Sequence, residues 1–233
     1  ILIRYPQFGY YLIIFFIPFD AIMGALGIAE FLTISKFVGI WLVIYVIFRT
    51  FIDRASPFDL KSNLWPLLFY FFIVNLISAA TSDYTLLSFD NIRQLFTAYL
   101  FYTLTLVFIT EKGFRTTLPT LVTFSVTLNA VLSVIGFIFL LPVLSSKSDI
   151  LRATGFSGDP NFFASMSLFV LPLIACQIKT NEKPTLRLFF IAAFFIAISA
   201  VVLSFSRSAA RVLILVLCLL AFEHLRNLKP KHL

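Results

Sequence analysis

The sequence predicts an all-α fold: a polytopic transmembrane helical bundle of about eight spans. Three observations point to it. Of 233 residues, 60% are hydrophobic and only 12% charged, against roughly a quarter charged in an ordinary soluble domain. Phe alone occurs 30 times, and the mean hydropathy is +1.00. The apolar residues also gather into runs close to the ~20 that a helix needs to cross a ~30 Å hydrocarbon core. A soluble globule of this size has too little interior for that surface. Disorder, a disulfide scaffold and a nucleic-acid-binding domain are excluded by the same figures.

Taken in order, the runs fall at residues 10–29, 33–51, 64–80, 95–110, 118–141, 162–178, 186–203 and 209–222. The first is interrupted by Pro18 and Asp20, which kink it or end it early. The last is short and begins at Ser206 or Arg207. No repeat and no low-complexity stretch appears, and no loop is long enough to fold by itself, so residues 1–233 read as a single integral membrane domain. The chain begins at Ile1, with nothing like a cleavable signal peptide, and ends on the polar run 227–233. It therefore reads as the N-terminal part of a longer protein.

Assigning the connecting segments alternately to two sides divides the basic residues unevenly. One side receives Arg4, Arg49, Arg54, Lys61, Lys112, Arg115, Lys179, Lys183, Arg187, Arg226, Lys229 and Lys231; the other receives Lys36, Arg93, Lys147, Arg152, Arg207 and Arg211. Twelve against six puts both ends of the chain in the cytoplasm, and the net charge of +7 becomes a topology signal with no nucleic-acid partner implied. Cys176 and Cys218 lie inside apolar runs without partner spacing, so they act as small apolar residues and imply neither metal nor disulfide.

The orientation makes the outer arginines the residues to explain. Arg152 opens the stretch Arg152-Ala-Thr-Gly-Phe-Ser-Gly-Asp-Pro-Asn161. Asp159 is placed to cap the sixth helix, with Pro160 at its first position, where a missing N–H costs nothing. Gly155 and Gly158 let the loop turn tightly. Two readings follow: a well-made helix start, or a helix N-terminus that receives an anion with Arg152 beside it. In Ser204-Phe-Ser-Arg-Ser208 the seventh and eighth spans join almost without a loop. Arg207 and Arg211, four apart, project from one helix face and either snorkel to lipid headgroups or form a fork for phosphate oxygens. Arg93, with Asp83 and Asp90 near it, is either an ion-paired helix cap or a third outer cation. Asp20 marks a helix end or an ion site. There is no phosphate-binding Gly-rich loop, no His/Cys metal set and no nucleophile elbow. His224 and His232 fall on the inner, basic side.

Two segments resemble a known family. Gly155-Phe-Ser-Gly-Asp-Pro-Asn161, followed by an apolar helix, resembles the Asp-Pro-Asn outer segment of O-antigen ligase and O-antigen polymerase-like proteins. Leu203-Ser-Phe-Ser-Arg-Ser-Ala-Ala210 resembles that family's Ser-Arg motif, which opens the helix after a tight outer turn, and the order and separation of the two also fit. The resemblance implies a membrane-embedded glycosyltransferase of the GT-C type in the bacterial cytoplasmic (inner) membrane. It would ligate or polymerise glycan from an undecaprenyl-diphosphate-linked saccharide during O-antigen or other surface polysaccharide biosynthesis. It implies a lipid-linked oligosaccharide donor and membrane lipids as partners, no cofactor and no metal. Arg207 matches the Ser-Arg position; Arg211, Arg152 and Arg93 are the further cations for the diphosphate, and Gly155, Gly158, Asp159, Pro160 and Asn161 the loop motif. The family's large outer loop, with the His that acts near the acceptor, has no counterpart here. The catalytic residue is thus expected beyond this chain, and the chain alone is expected to be inactive. A transporter or flippase of lipid-linked or amphiphilic substrates, or a non-catalytic membrane subunit, are the competing readings. Asn75, Asn129 and scattered Ser and Thr are the only mid-span polar residues that favour a transport path.

Overall fold

A computed structural model of the chain describes residues 5–19, 33–53, 64–82, 84–109, 113–141, 145–146 and 151–227. Eight α-helices lie among them: α1 Pro6–Phe16, α2 Ile34–Asp53, α3 Leu64–Ala80, α4 Thr85–Phe108, α5 Phe114–Ile138, α6 Pro160–Thr180, α7 Pro184–Leu203 and α8 Arg207–Asn227. Single 3-10 turns follow α1 (Ile17–Phe19) and precede α6 (Gly155–Ser157). Two short antiparallel strands, Ser145–Ser146 and Arg152–Ala153, pair Ser145 with Ala153. Residues 116–138, 160–180 and 184–203 form helices long and apolar enough to cross a membrane; 6–19 and 66–80 are shorter apolar helices.

The helices depart from the apolar runs at their ends. α4 begins at Thr85 rather than residue 95, and α8 continues to Asn227 rather than stopping at 222. Backbone hydrogen bonding carries a helix past the edge of its apolar run, because polar residues such as Asn91 and Gln94 still form helix when one face has a neighbour. The first run ends its α-helix at Phe16, and Pro18 falls in the tighter turn that follows. The other half of that run, with Asp20, lies outside the described residues, as do Asp83, His232 and the side chains of Asp90 and His224.

The chain divides into two compact units. The first comprises residues 1–10 and 37–115. Its centre is Tyr10, 1% exposed. The ring lies 5.4 to 5.5 Å from those of Phe101, Phe108 and Phe114, and the hydroxyl hydrogen-bonds Thr105. α3 and α4 form a hairpin because only a few residues separate them. The Thr81 hydroxyl donates to the Ile77 and Ser78 carbonyls, which closes the C-terminus of α3.

The second unit comprises residues 11–36 and 116–233. α6, α7 and α8 pack against one another around an apolar core that includes Phe190 and Val201 of α7, and large apolar side chains also cover the outside. On α7, Ala193, Ala197 and Ala200 are buried, with Ala197 at 0% exposure, while Phe195 is 64% exposed and Leu188 and Val202 also face outward. Small residues inside let helix backbones approach closely, and large apolar ones outside suit a hydrocarbon solvent. Ala164, Leu168, Leu171 and Ile174 of α6 and Ala209 and Leu213 of α8 complete this core. α5 carries its polar residues inward: Thr123, Ser125, Thr127, Asn129 and Ser133 are all buried. Ser125 donates to the Phe15 carbonyl, and the Gln177 amide of α6 donates to Thr123 Oγ1 over 3.1 Å.

At the far end of α6, Lys179 Nζ lies 2.7 Å from Glu223 Oε1 of α8. The hydrogen bond and charge of Lys179 hold the Glu223 carboxyl below its ordinary value. A carboxyl lowered in the folded state adds stability that is present at neutral pH and lost as pH falls through that lowered value; both groups are exposed, so the effect is small. The pair makes α6 and α8 parallel, with α7 returning between them. In a Cys176→Ser, Cys218→Ser background, Lys179→Cys with Glu223→Cys should therefore cross-link through a short bis-maleimide. Lys179→Cys with Arg207→Cys should not, because 16 residues of helix separate 207 from 223, roughly 24 Å. Mass spectrometry of the digested chain reads both, and a cross-link in the second pair alone would reverse the arrangement.

Candidate functional site

The site is built where the segment 151–161 meets the turn between α7 and α8. An irregular segment beneath apolar helices must satisfy its own amides, since each one left unpaired costs about 1–3 kcal/mol. α5 supplies the partners. Asn129 and Ser133, one turn apart, present their side chains to the 3-10 turn: Gly155 N donates to Ser133 Oγ at 3.0 Å and Phe156 N to Asn129 Oδ1 at 3.0 Å. The Phe156 ring then packs on Phe19 at 5.7 Å. Gly155 is required twice over. Its φ is +57°, and a Cβ there would stand 2.7 Å from the Phe163 ring and 2.8 Å from Asn129 Oδ1.

Gly158, with φ +72°, ends the turn, and Asp159 opens α6. The Asp159 carboxylate accepts from Asn161 N at 2.6 Å and Phe162 N at 3.1 Å, and Pro160 takes the first helical position. The anion on this helix N-terminus is thus the chain's own carboxylate. Asn161 lies exposed in the first turn, its carbonyl accepting from the Ser165 hydroxyl at 2.8 Å.

Arg152 is directed to the other motif. Its Nε donates to the Ser204 carbonyl at 2.9 Å and its Nη2 to the Phe205 carbonyl at 3.1 Å. These carbonyls stand at the C-terminus of α7, where the helix leaves acceptors without intrahelical donors and the dipole favours a cation. Arg152 therefore ties the loop to the α7–α8 turn. The turn is tight: Ser204 Oγ donates to the Val201 carbonyl at 2.7 Å, and Phe205 takes a positive φ of 50°. Ser206 Oγ accepts weakly from Ala209 N at 3.4 Å as α8 begins.

Arg207 and Arg211 follow on the first two turns of α8. Both are exposed, and neither side chain has a hydrogen bond or ion pair with a described residue. Their position is electrostatically unfavourable, since a helix N-terminus already carries about half a positive charge. Beside them, α6 and α8 border a groove of about 530 Å³. Ser165 and Ser208 line it at the Arg207 end, and Leu168, Phe169, Leu173, Val212 and Val216 line the rest. The fourth predicted cation, Arg93, is an exposed residue of α4 and belongs to the first unit. The structure thus joins Arg152 to the turn that presents Arg207 and Arg211.

Asn129 and Ser133, which hold the loop, were not singled out as site residues from sequence. Their signal was available: an amide and a hydroxyl four apart in an apolar helix, aligned on one face. No protein-family model, curated protein or solved structure matches the chain.

Gly155→Ala adds left-handed strain of about 1–2 kcal/mol to an overpacking cost of similar size. The variant should lose about 3 kcal/mol in thermal unfolding of the purified chain. Gly113→Ala, with φ +83° but no atom within 4 Å of the new Cβ, should lose only the strain. Equal melting temperatures for the two variants would show that the contact with Phe163 and Asn129 carries no weight.

Proposed function

We propose that the chain is part of a bacterial cytoplasmic-membrane enzyme of about eight spans, both ends of the chain inside. This enzyme ligates or polymerises glycan carried on undecaprenyl diphosphate during O-antigen or other surface polysaccharide assembly. The observation that carries the reading is the pair of unneutralised arginines, Arg207 and Arg211, at the positive end of α8 beside an apolar groove. Such an arrangement fits an amphiphile with an anionic head and a hydrocarbon tail. Isoprenoid carbons would lie along Leu168, Phe169, Leu173 and Val212, and the diphosphate oxygens would meet the two guanidiniums. The parallel alignment of α6 and α8, and the outward-facing Phe and Leu side chains of α7, support a membrane setting.

The chemistry asked of these residues is simple. When the bond between the anomeric carbon and the diphosphate oxygen breaks, negative charge accumulates on the leaving group. Two guanidiniums at that point would stabilise the charge without changing protonation state, since arginine stays charged at any working pH. Arg152 serves the same reaction indirectly, by holding the turn from which Arg207 starts. Against the transporter reading, Thr123, Ser125, Asn129 and Ser133 of α5 each hold a partner, at Gln177, Phe15, Phe156 and Gly155, although Asn129 Nδ2 and Thr127 Oγ1 are buried without one among the described residues.

In the native host, Arg207→Ala should lower polymerised or ligated glycan by at least 100-fold, the scale of a lost transition-state donor, with membrane insertion unchanged. Arg211→Ala should lower it less. Glycan gels from a complemented null strain measure both, and wild-type banding from Arg207→Ala would sink the reading. Lipid-flipping without glycan transfer would favour the transporter instead.

A further inference from the structure

The α3–α4 hairpin contains a cleft of about 410 Å³ lined largely by amides and hydroxyls: Asn75 and Ser78 from α3, Ser82 from the turn after it, and Ser88, Asn91 and Gln94 from α4. The spacing places Asn75 and Ser78 on one face of α3. The large apolar side chains of the same helix, Leu67, Tyr70, Val74 and Ile77, are exposed. The polar residues border an open cleft between the two helices, and the hairpin's own hydrogen bonds engage few of them. Asn75 Nδ2 donates to the Phe71 carbonyl at 2.8 Å, and Ser82 Oγ accepts from Tyr84 N at 3.2 Å. The side chains of Ser78, Ser88, Asn91 and Gln94 make no hydrogen bond with any described residue. Among the described residues no lining side chain is charged, and Phe71 adds an aromatic face to the wall.

This chemistry selects its ligand. Amides and hydroxyls both donate and accept, which matches groups that also do both, namely hydroxyls on a ring. The described lining side chains offer no charge to a phosphate, carboxylate or ammonium, and an aromatic face packs against C–H groups. The volume lies within the ~300–1,000 Å³ of small-molecule sites. We propose that the α3–α4 cleft binds a neutral, polyhydroxylated ligand, a saccharide unit. The inference stands on the lining alone and does not require the arginine site in the other unit.

Saturation-transfer NMR tests it, using the chain in phosphatidylcholine nanodiscs free of glycoside detergents. The probes are the methyl glycosides of glucose, galactose and N-acetylglucosamine. Transfer to at least one glycoside is expected. It should fall by half or more in Asn91→Leu/Gln94→Leu and in the charge-adding Asn91→Asp/Gln94→Glu, and stay unchanged in Arg207→Ala. Asn91 and Gln94 are both exposed, so each double variant should melt like the parent chain. Native mass spectrometry of discs containing monoglucosyl diacylglycerol separates the two sources of sugar. A retained glycolipid without transfer to free glycosides assigns the cleft to a lipid headgroup; transfer to free glycosides assigns it to a soluble sugar. Neither signal, or transfer that both double variants leave intact, overturns the proposal. Glycan gels of Arg207→Ala report on the other site, so either idea can fail alone.

Discussion

The rest of the second unit depends on a hydrogen-bonding constraint. A segment that leaves helical geometry among apolar helices must find donors and acceptors inside the protein, because hydrocarbon offers none. Residues 151–158 meet this at both ends. The Gly155 and Phe156 amides are taken by Ser133 and Asn129 of α5, and Arg152 caps the carbonyls that end α7. Breaking either contact exposes buried polar backbone at a helix end. The loop is therefore fixed in one conformation, and with it the start of α6 and the turn before α8.

From that clasp follows the placement of charge. Of the described charges around this clasp, the Arg152 guanidinium is used on backbone carbonyls and the Asp159 carboxylate on the amides that open α6. Arg207 and Arg211 remain, on a helix end whose dipole repels them. The adjoining groove between α6 and α8 is lined mostly by apolar side chains, with Ser165 and Ser208 at the arginine end.

Packing and solvation tell the same story in both units. In the α6–α7–α8 core the alanines of α7 lie inside among Leu, Ile, Val and Phe190, while many other Phe and Leu side chains face out, and the α3–α4 hairpin borders a cleft with its amides. In water this distribution would be unfavourable; in hydrocarbon it is the stable one, because van der Waals packing and internal hydrogen bonds replace the hydrophobic effect as the force between helices.

Local chemistry was legible in the sequence. Asp159 before Pro160 specifies a helix start whatever surrounds it, because a cap bonds to amides two and three residues away. The four-residue spacing of Arg207 and Arg211 puts them on one face of any helix that contains them, and composition alone selects a lipid-compatible fold. What only the tertiary structure decided depends on partners distant in the chain. Arg152 was read as a cation for a ligand, yet its partner is a carbonyl 52 residues away. Gly155 was read as a turn residue, yet the ring of Phe163 and the amide of Asn129 also exclude any larger side chain there. Helix ends moved for the same reason: polarity marks where a run stops being apolar, but neighbours decide where a helix stops. Short-range bonds are written into sequence because their partners are fixed by covalent connection, whereas long-range ones exist only once the helices have packed.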